Sequence, residues 1–366
     1  MDLNQSPFIV IWETTQACDL ACVHCRAEAQ PNPLPGELTH AEGLDLIDHV
    51  ARLGTRVLVL SGGDPLKRRR LTDLIRHGKA RKLRMGTIPA ATPRLTREAV
   101  NSLKDAGLDQ MAVSLDASTA EAHDRFRGAP GAFQKTMEAV GWAHETELPL
   151  QINTVMSALN FEDLDRLIEL VRQLGIVFWE VFFLVPVGRG TQLAGLTAEQ
   201  YELVFAKLYE TARAASFVIK VTEALHYRRY SIERQGTDQP PAQAAAGSMG
   251  ERWRDVGPHG SIGISPQSIN AGKGHLFISS TGEVYPSGFL PLSAGNIRAT
   301  SLARLYRASP LFLALRNPDL LKGRCGICEF RSVCGGSRSR AYALTGDVLA
   351  EDPCCAYVPR TPSLSA

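Results

Sequence analysis

Three cysteines, Cys18, Cys22 and Cys25, stand within one short stretch directly after an apolar run from Phe8 to Trp12. Thiolates are soft ligands that select iron–sulfur clusters, zinc or Cu(I). A four-iron cluster normally takes four cysteines. This set offers three, and no further cysteine occurs before Cys325. One iron would then stay open to a ligand that is not protein. A structural zinc site needs a fourth ligand, and His24 lies too close between Cys22 and Cys25 to chelate beside all three. Three unrelated buried thiols are the blander alternative, but spacing, preceding strand and following loop agree on a cluster. A second set comprises Cys325, Cys328 and Cys334, followed by the adjacent Cys354 and Cys355. Four of these thiolates suffice for another cluster. Cys354 continues the spacing more naturally than Cys355 and is the favoured fourth; a zinc ribbon is the competing reading.

Other residues could carry chemistry at strand ends. Gly62 and Gly63, followed by Asp64, allow a backbone to approach a ligand closely. Ser114 and Asp116, two apart, share one side of a strand, and both could hydrogen-bond a ribose or an amino acid. Asn153 and Arg189 end two further strands, Arg189 with the fork that pairs with carboxylates. Each has a plain structural alternative: a tight turn, a helix cap, a strand-end amide, a surface arginine. The segments 226–230 and 252–254 set arginines beside aromatic rings, which suits a planar ligand bearing carboxylates. Lys67 to Arg70 reads as a solvated helix face.

Elements that would position these groups alternate regularly. Strands are predicted at 8–12, 56–60, 84–88, 110–115, 150–155 and 178–185, with helices at 39–53, 66–80, 96–106, 132–145 and 161–174. Strands separated by such helices mean βα units and a parallel α/β sheet, too few for a closed eight-stranded barrel. The three-thiol motif follows the first strand and so lies on the face of strand C-termini, where such folds gather their chemistry. A further helix is read at 197–216, a loop at 235–250, and a hairpin pairing 275–279 with 283–285. The predicted organisation is a barrel unit over 1–215, a linker over 216–273 and a small Cys-rich unit over 274–366.

The chain has 366 residues, 44% hydrophobic and 21% charged, with a net charge of +2. That balance is ordinary for a globular protein and gives no case for nucleic acid. No apolar run approaches the roughly 20 residues that span a bilayer, and residues 1–5 lack the features of a secretory signal. With metal-like cysteine spacing, these features predict reduced thiols in a cytoplasm.

At Cys18, Cys22 and Cys25, with His24 before the last cysteine, the sequence resembles the radical SAM enzymes. The resemblance implies an open (β/α)6 partial barrel and a [4Fe–4S] cluster whose open iron chelates S-adenosylmethionine. One-electron cleavage of that cosubstrate gives a 5′-deoxyadenosyl radical, with a reductant such as a flavodoxin or ferredoxin as the electron source. It further implies that Gly62, Gly63 and Asp64, here replacing the usual Glu, meet the cosubstrate's amino group, and that His24, Ser114, Asp116, Asn153 and Arg189 contribute to its binding. The C-terminal stretch resembles the twitch/SPASM extensions of these enzymes. Ser287 and Arg338 stand where further cysteines would be expected, which implies one auxiliary [4Fe–4S] cluster on Cys325, Cys328, Cys334 and Cys354.

The stretches 285–291, 334–341 and 345–355 resemble the subgroup that forms heme from iron-coproporphyrin or builds heme d1. That implies a small-molecule tetrapyrrole substrate whose propionates become vinyl groups. A maturase of a ribosomally made short peptide is the alternative. Such enzymes usually carry an N-terminal peptide-recognition domain, and only seven residues precede Phe8. An iron–sulfur electron-transfer module is a third reading.

Overall fold

The computed structural model describes residues 1–235, 262–265 and 267–360. Seven strands run in parallel and in chain order: β1 Ile9–Glu13, β2 Val57–Ser61, β3 Arg84–Thr87, β4 Gln110–Ser114, β5 Leu150–Met156, β6 Phe178–Phe183 and β7 Val218–Thr222. Helices His40–Arg52, Leu71–Ala80, Arg97–Asp105, Ala132–Glu145 and Leu164–Gln173 fill the predicted connections. A short helix, Ala120–Arg127, joins them after β4. The C-terminal part supplies β8 Asn270–Ala271, β9 Gly274–Ile278, β10 Glu283–Tyr285 and β11 Gly295–Asn296. The wall runs β11-β10-β9-β1 and then in order to β7. Its ends, β11 and β7, are unpaired with each other, so the α/β barrel is open.

Two results differ from the sequence reading. The region read as a linker from 216 begins with β7, paired along its whole length to β6, and continues into the helix His226–Gln235. Residues 236–261, which include the arginines at 252 and 254, lie outside the described residues. The predicted hairpin is present as β9–β10, but β9 also adds in parallel to the free edge of β1, with Ile9 opposite His275 and Ile11 opposite Phe277. The Cys-rich part thus contributes a barrel stave.

Alternation along each strand separates two environments. Val10, Trp12, Leu58, Leu60, Met111, Val113, Trp179, Val181, Leu276 and Ile278 point outward into one core shared with the helices. Their neighbours Ile9, Ile11, Val57, Val59, Gln110, Phe178, Glu180, His275 and Phe277 point into the barrel. Strands covered on both faces read as nearly continuous apolar runs, which is why the sequence marks them clearly. Thr39 caps the first helix in a reciprocal box with Glu42. Arg298, beyond β11, reaches back to the same carboxylate at 2.6 Å. That contact and the Thr39 amide hold the Glu42 carboxyl down to about 2. Among the described residues, no helix is long and apolar enough to cross a membrane.

One buried hydroxyl seats β9. Tyr306 Oη donates to the Leu3 carbonyl at 2.6 Å and accepts from the Gly274 amide at 3.0 Å. Replacing it with Phe leaves both partners unpaired in the interior. Tyr306→Phe should therefore cost about 1–3 kcal/mol of stability, read as a lower midpoint in thermal denaturation; an unchanged midpoint would contradict this role.

Candidate functional site

Cys18, Cys22 and Cys25 lie on the loop leaving β1, and all three are free thiols. The loop is fixed by its backbone. Cys18 N donates to Gln30 O at 2.8 Å, and Val23 N to Phe126 O at 3.1 Å. The segment after β2 clamps it from one side, with Gly63 N on Thr15 O at 2.8 Å and Asp64 N on Ala17 O at 2.7 Å. A Cβ on Gly63 would lie 2.6 Å from the carbonyl oxygens of Gln16 and Ala17, so only glycine fits. From the other side Gly188, at φ +56°, leaves no room for a Cβ beside the Cys25 and Arg26 carbonyls. Arg189 then donates through its amide to Cys25 O at 3.0 Å, through Nε to Cys22 O at 2.9 Å and through Nη1 to Ala29 O at 3.2 Å. Lys67 is not solvated as expected; it caps Pro31 O at 2.8 Å and pairs with Asp19 of the same loop.

Burial holds two of these thiols in the neutral form unless a cation joins them. Burial pushes the Cys18 thiol up to about 11 and raises that of Cys22, where the Arg127 guanidinium opposes the shift. Thiolates so placed need a cationic partner. Several buried polar atoms beside the loop lack partners among the described residues: His24 Nδ1, Arg127 Nε and Arg189 Nη2. The donor set and these orphaned groups fit an iron–sulfur cluster with a polar cosubstrate.

The remaining predicted contacts converge on the same end of the barrel, with differences. His24 packs on Phe126, ring centres 4.8 Å apart, and burial drops it to about 4, so it is neutral. Asp64 is fully buried, and its carboxylate is committed to Thr92 Oγ1 at 2.9 Å, Leu66 N at 3.0 Å and Ala90 N at 3.4 Å. Ser114 and Asn153 are direct neighbours across β4 and β5. Asp116 accepts from Val155 N at 2.9 Å and pairs with Arg127, whose Nη1 lies 3.9 Å from Cys22 Sγ. Burial raises the Asp116 carboxyl, but Arg127, His24 and His123 outweigh it, and it stays ionised. Sequence reasoning missed Arg127. Its signal was a charged residue on the apolar side of a short, polar helix.

Below the loop the barrel wall lines a chamber of about 250 Å³ that is open to solvent on one side. Its walls are mostly aliphatic and aromatic. Three cations reach it. Arg26, next after Cys25, pairs with Glu13 at 3.1 Å and stacks on Phe277 at 4.3 Å. Lys220 pairs with Glu180 at 2.8 Å. Arg228 meets only carbonyls among the described residues, Ile269 O at 2.6 Å and Val333 O at 3.0 Å. Burial lowers it to about 10.

The C-terminal thiols surround a second, small cavity of about 30 Å³, lined by Cys325, Cys328, Cys334 and Cys355. Cys354, the expected fourth thiol, turns the other way, packing on the main core and meeting the Tyr201 hydroxyl. The reason is local: Pro353 and Cys354 form a turn closed by the Cys355 amide on Asp352 O at 3.2 Å, and the turn sends the two adjacent thiols to different sides. Burial pushes Cys334 up to about 12 and Cys355 up to about 11. Amides of Gly336 and Asp352 donate to Cys334 Sγ at 3.4 Å and Cys325 Sγ at 3.5 Å. The two positions without cysteine are occupied otherwise. Ser287, with Ser337 and Ser339, donates to the buried Glu223 carboxylate. Arg338 spans Val348 O, Ala350 O and Cys325 Sγ.

The family model described as the Radical SAM superfamily matches residues 12–171. An "AdoMet-dependent heme synthase" of Methanosarcina barkeri is 39% identical over 98% of both chains. A "PqqA peptide cyclase" of Rhizobium meliloti is 30% identical over 96% of this chain and 88% of its own. Among solved structures, Streptococcus suis SuiB bound to S-adenosylmethionine superposes with a TM-score of 0.70 at 15% identity, over 96% of this chain and 78% of its own, a likeness of fold.

The Arg127–Asp116 pair gives a direct test of the site's electrostatics. Arg127→Gln leaves a buried carboxylate without its cation and should cost about 3–5 kcal/mol. Adding Asp116→Asn should recover much of the loss. Thermal midpoints of the reconstituted single and double variants decide this; equal losses would mean that the charge pairing is immaterial.

Proposed function

Since the chain belongs to the radical SAM superfamily, we propose that it oxidatively decarboxylates propionate side chains of an iron tetrapyrrole, the chemistry of heme formation. The family implies a [4Fe–4S] cluster and S-adenosylmethionine. In this reading Cys18, Cys22 and Cys25 hold the cluster. When bound, the pair supplies a 5′-deoxyadenosyl radical that takes hydrogen from substrate. The backbone at Gly62 and Gly63 meets the cosubstrate's amino group, with Asp64 stiffening that turn from behind. Ser114, Asn153 and the Asp116-braced Arg127 offer hydrogen bonds to its polar groups, Arg189 offers its free Nη2, and neutral His24 packs alongside.

The observation that carries the substrate reading is the chamber beneath the thiols. A buried guanidinium without a carboxylate partner among the described residues, Arg228, lines an otherwise largely apolar cavity. A large hydrophobic ring bearing acids complements it. The more similar of the two curated relatives acts in heme synthesis by its name, which favours a tetrapyrrole over a peptide. At each propionate the carbon next to the ring loses a hydrogen atom, the carboxylate leaves as CO2, one electron departs and a vinyl group remains. An auxiliary [4Fe–4S] cluster on Cys325, Cys328, Cys334 and Cys355 would supply a one-electron acceptor. Barrel walls keep water from the radical. A low-potential flavodoxin or ferredoxin in the cytoplasm fits as donor.

Anaerobically reconstituted protein should hold about eight irons. Cys355→Ala should fall to about four and Cys354→Ala should keep about eight; the reverse pattern would reassign the fourth thiolate. Incubation with iron-coproporphyrin, S-adenosylmethionine and dithionite should yield products lighter by CO2 and H2 per side chain converted. An unchanged porphyrin mass, with deoxyadenosine still released, would sink the tetrapyrrole reading.

A further inference from the structure

We propose that His275 is the axial ligand, through Nε2, to the iron of the substrate tetrapyrrole held in the barrel. This rests on the tetrapyrrole reading above and adds to it a residue that fixes how the ring sits.

The placement follows from β9. In register with β1, His275 faces Ile9 and shares its inward side, so the imidazole lines the chamber while Leu276 packs outward. The ring's Nδ1 lies 3.1 Å from the Pro286 carbonyl. A carbonyl oxygen only accepts, so Nδ1 carries the proton and Nε2 keeps its lone pair. That is the arrangement of metal-binding histidines, whose second nitrogen usually donates to a carbonyl or carboxylate that orients the ring. Nε2 makes no hydrogen bond among the described residues. A core histidine with a purely structural role ordinarily has both nitrogens satisfied. The ring's residual exposure is to the chamber, since it lines that space. Burial pulls its pKa down to about 4, so the lone pair is available at neutral pH. Lys220 and Glu180, already paired with each other, are the charged groups facing it.

Depth in the barrel agrees with the chemistry. His275 is level with Ile9, four residues before Glu13, where the thiol loop begins. At about 3.3 Å per residue that is roughly 13 Å below the strand ends. An iron anchored there leaves the ring edge and its side chains directed up toward the thiols. Imidazole is a common protein ligand of porphyrin iron, and no cysteine or methionine lines the chamber among the described residues.

The test uses the full chain with its clusters reconstituted anaerobically, and compares ferric coproporphyrin with metal-free coproporphyrin. Wild type should bind both and give the absorption, EPR and resonance Raman signature of imidazole-ligated iron with the first. His275→Ala and His275→Gln should keep their affinity for the metal-free ring, read by its fluorescence. They should lose the imidazole signature and the tighter binding of the iron form, the ratio of the two Kd values falling to about one. Free imidazole should restore the signature in His275→Ala. An imidazole signature that persists in both variants overturns the ligand assignment and leaves the tetrapyrrole reading intact. Equal loss of the metal-free ring in both variants makes His275 a structural residue and overturns the assignment too. Failure of wild type to bind either porphyrin overturns both readings.

Discussion

A loop that must present three thiols has to be held by something other than those thiols, and here the backbone does it. Carbonyls of Thr15, Ala17, Cys22 and Cys25 accept from Gly63, Asp64 and Arg189. Close approach of three chain segments makes glycine obligatory at Gly63 and Gly188. The segments after β2 and β6 therefore hold the thiol loop in place through its backbone. This explains why Asp64 can be shorter than the usual family residue. Its oxygens cap Leu66 and hold the 90–92 turn, a structural task that a carboxylate of either length can perform.

The second dependency is the parallel addition of β9 to β1. An open barrel leaves two edges with unpaired amides and carbonyls, and edges need cover. β9 covers one and brings the Cys-rich part against the lumen. Phe277 from β9 carries the stacked Arg26, which itself follows Cys25. Glu223, just past β7, collects three serine hydroxyls from the C-terminal part. Barrel and extension thus share one set of buried polar contacts, and the chamber is walled by both.

Much of this was legible in the sequence. Continuous apolar runs marked β1 and β2, and apolar residues spaced between amphipathic helices marked β3 to β6. The capping box at Thr39 and the thiol spacing were equally readable. β7 was not, since Lys220 and Thr222 point into the chamber and break its apolar pattern. Ala120–Arg127 was hidden by its polar composition; its buried face carries His123, Phe126 and Arg127. Cys354 was preferred over Cys355 on spacing alone, and spacing does not say which of two adjacent side chains faces a cavity. Arg228 was legible in the 226–230 segment, where arginines sit beside aromatic rings; His275 carried no local signal, because what distinguishes it is the space it faces.

Arg228 shows how chamber and extension are tied energetically. A guanidinium is costly to bury without an anion, yet this one is held by two carbonyls, one of them Val333, the residue before Cys334. Lys220 and Arg26 are each neutralised by a carboxylate. Among the described residues lining the chamber, Arg228 is therefore the cation whose burial an acid would offset most, and it also holds the segment that leads to Cys334. In the proposed reading an acid drawn to Arg228 would lie beside the second set of thiols, so one side chain would serve both recognition and the direction in which charge must leave.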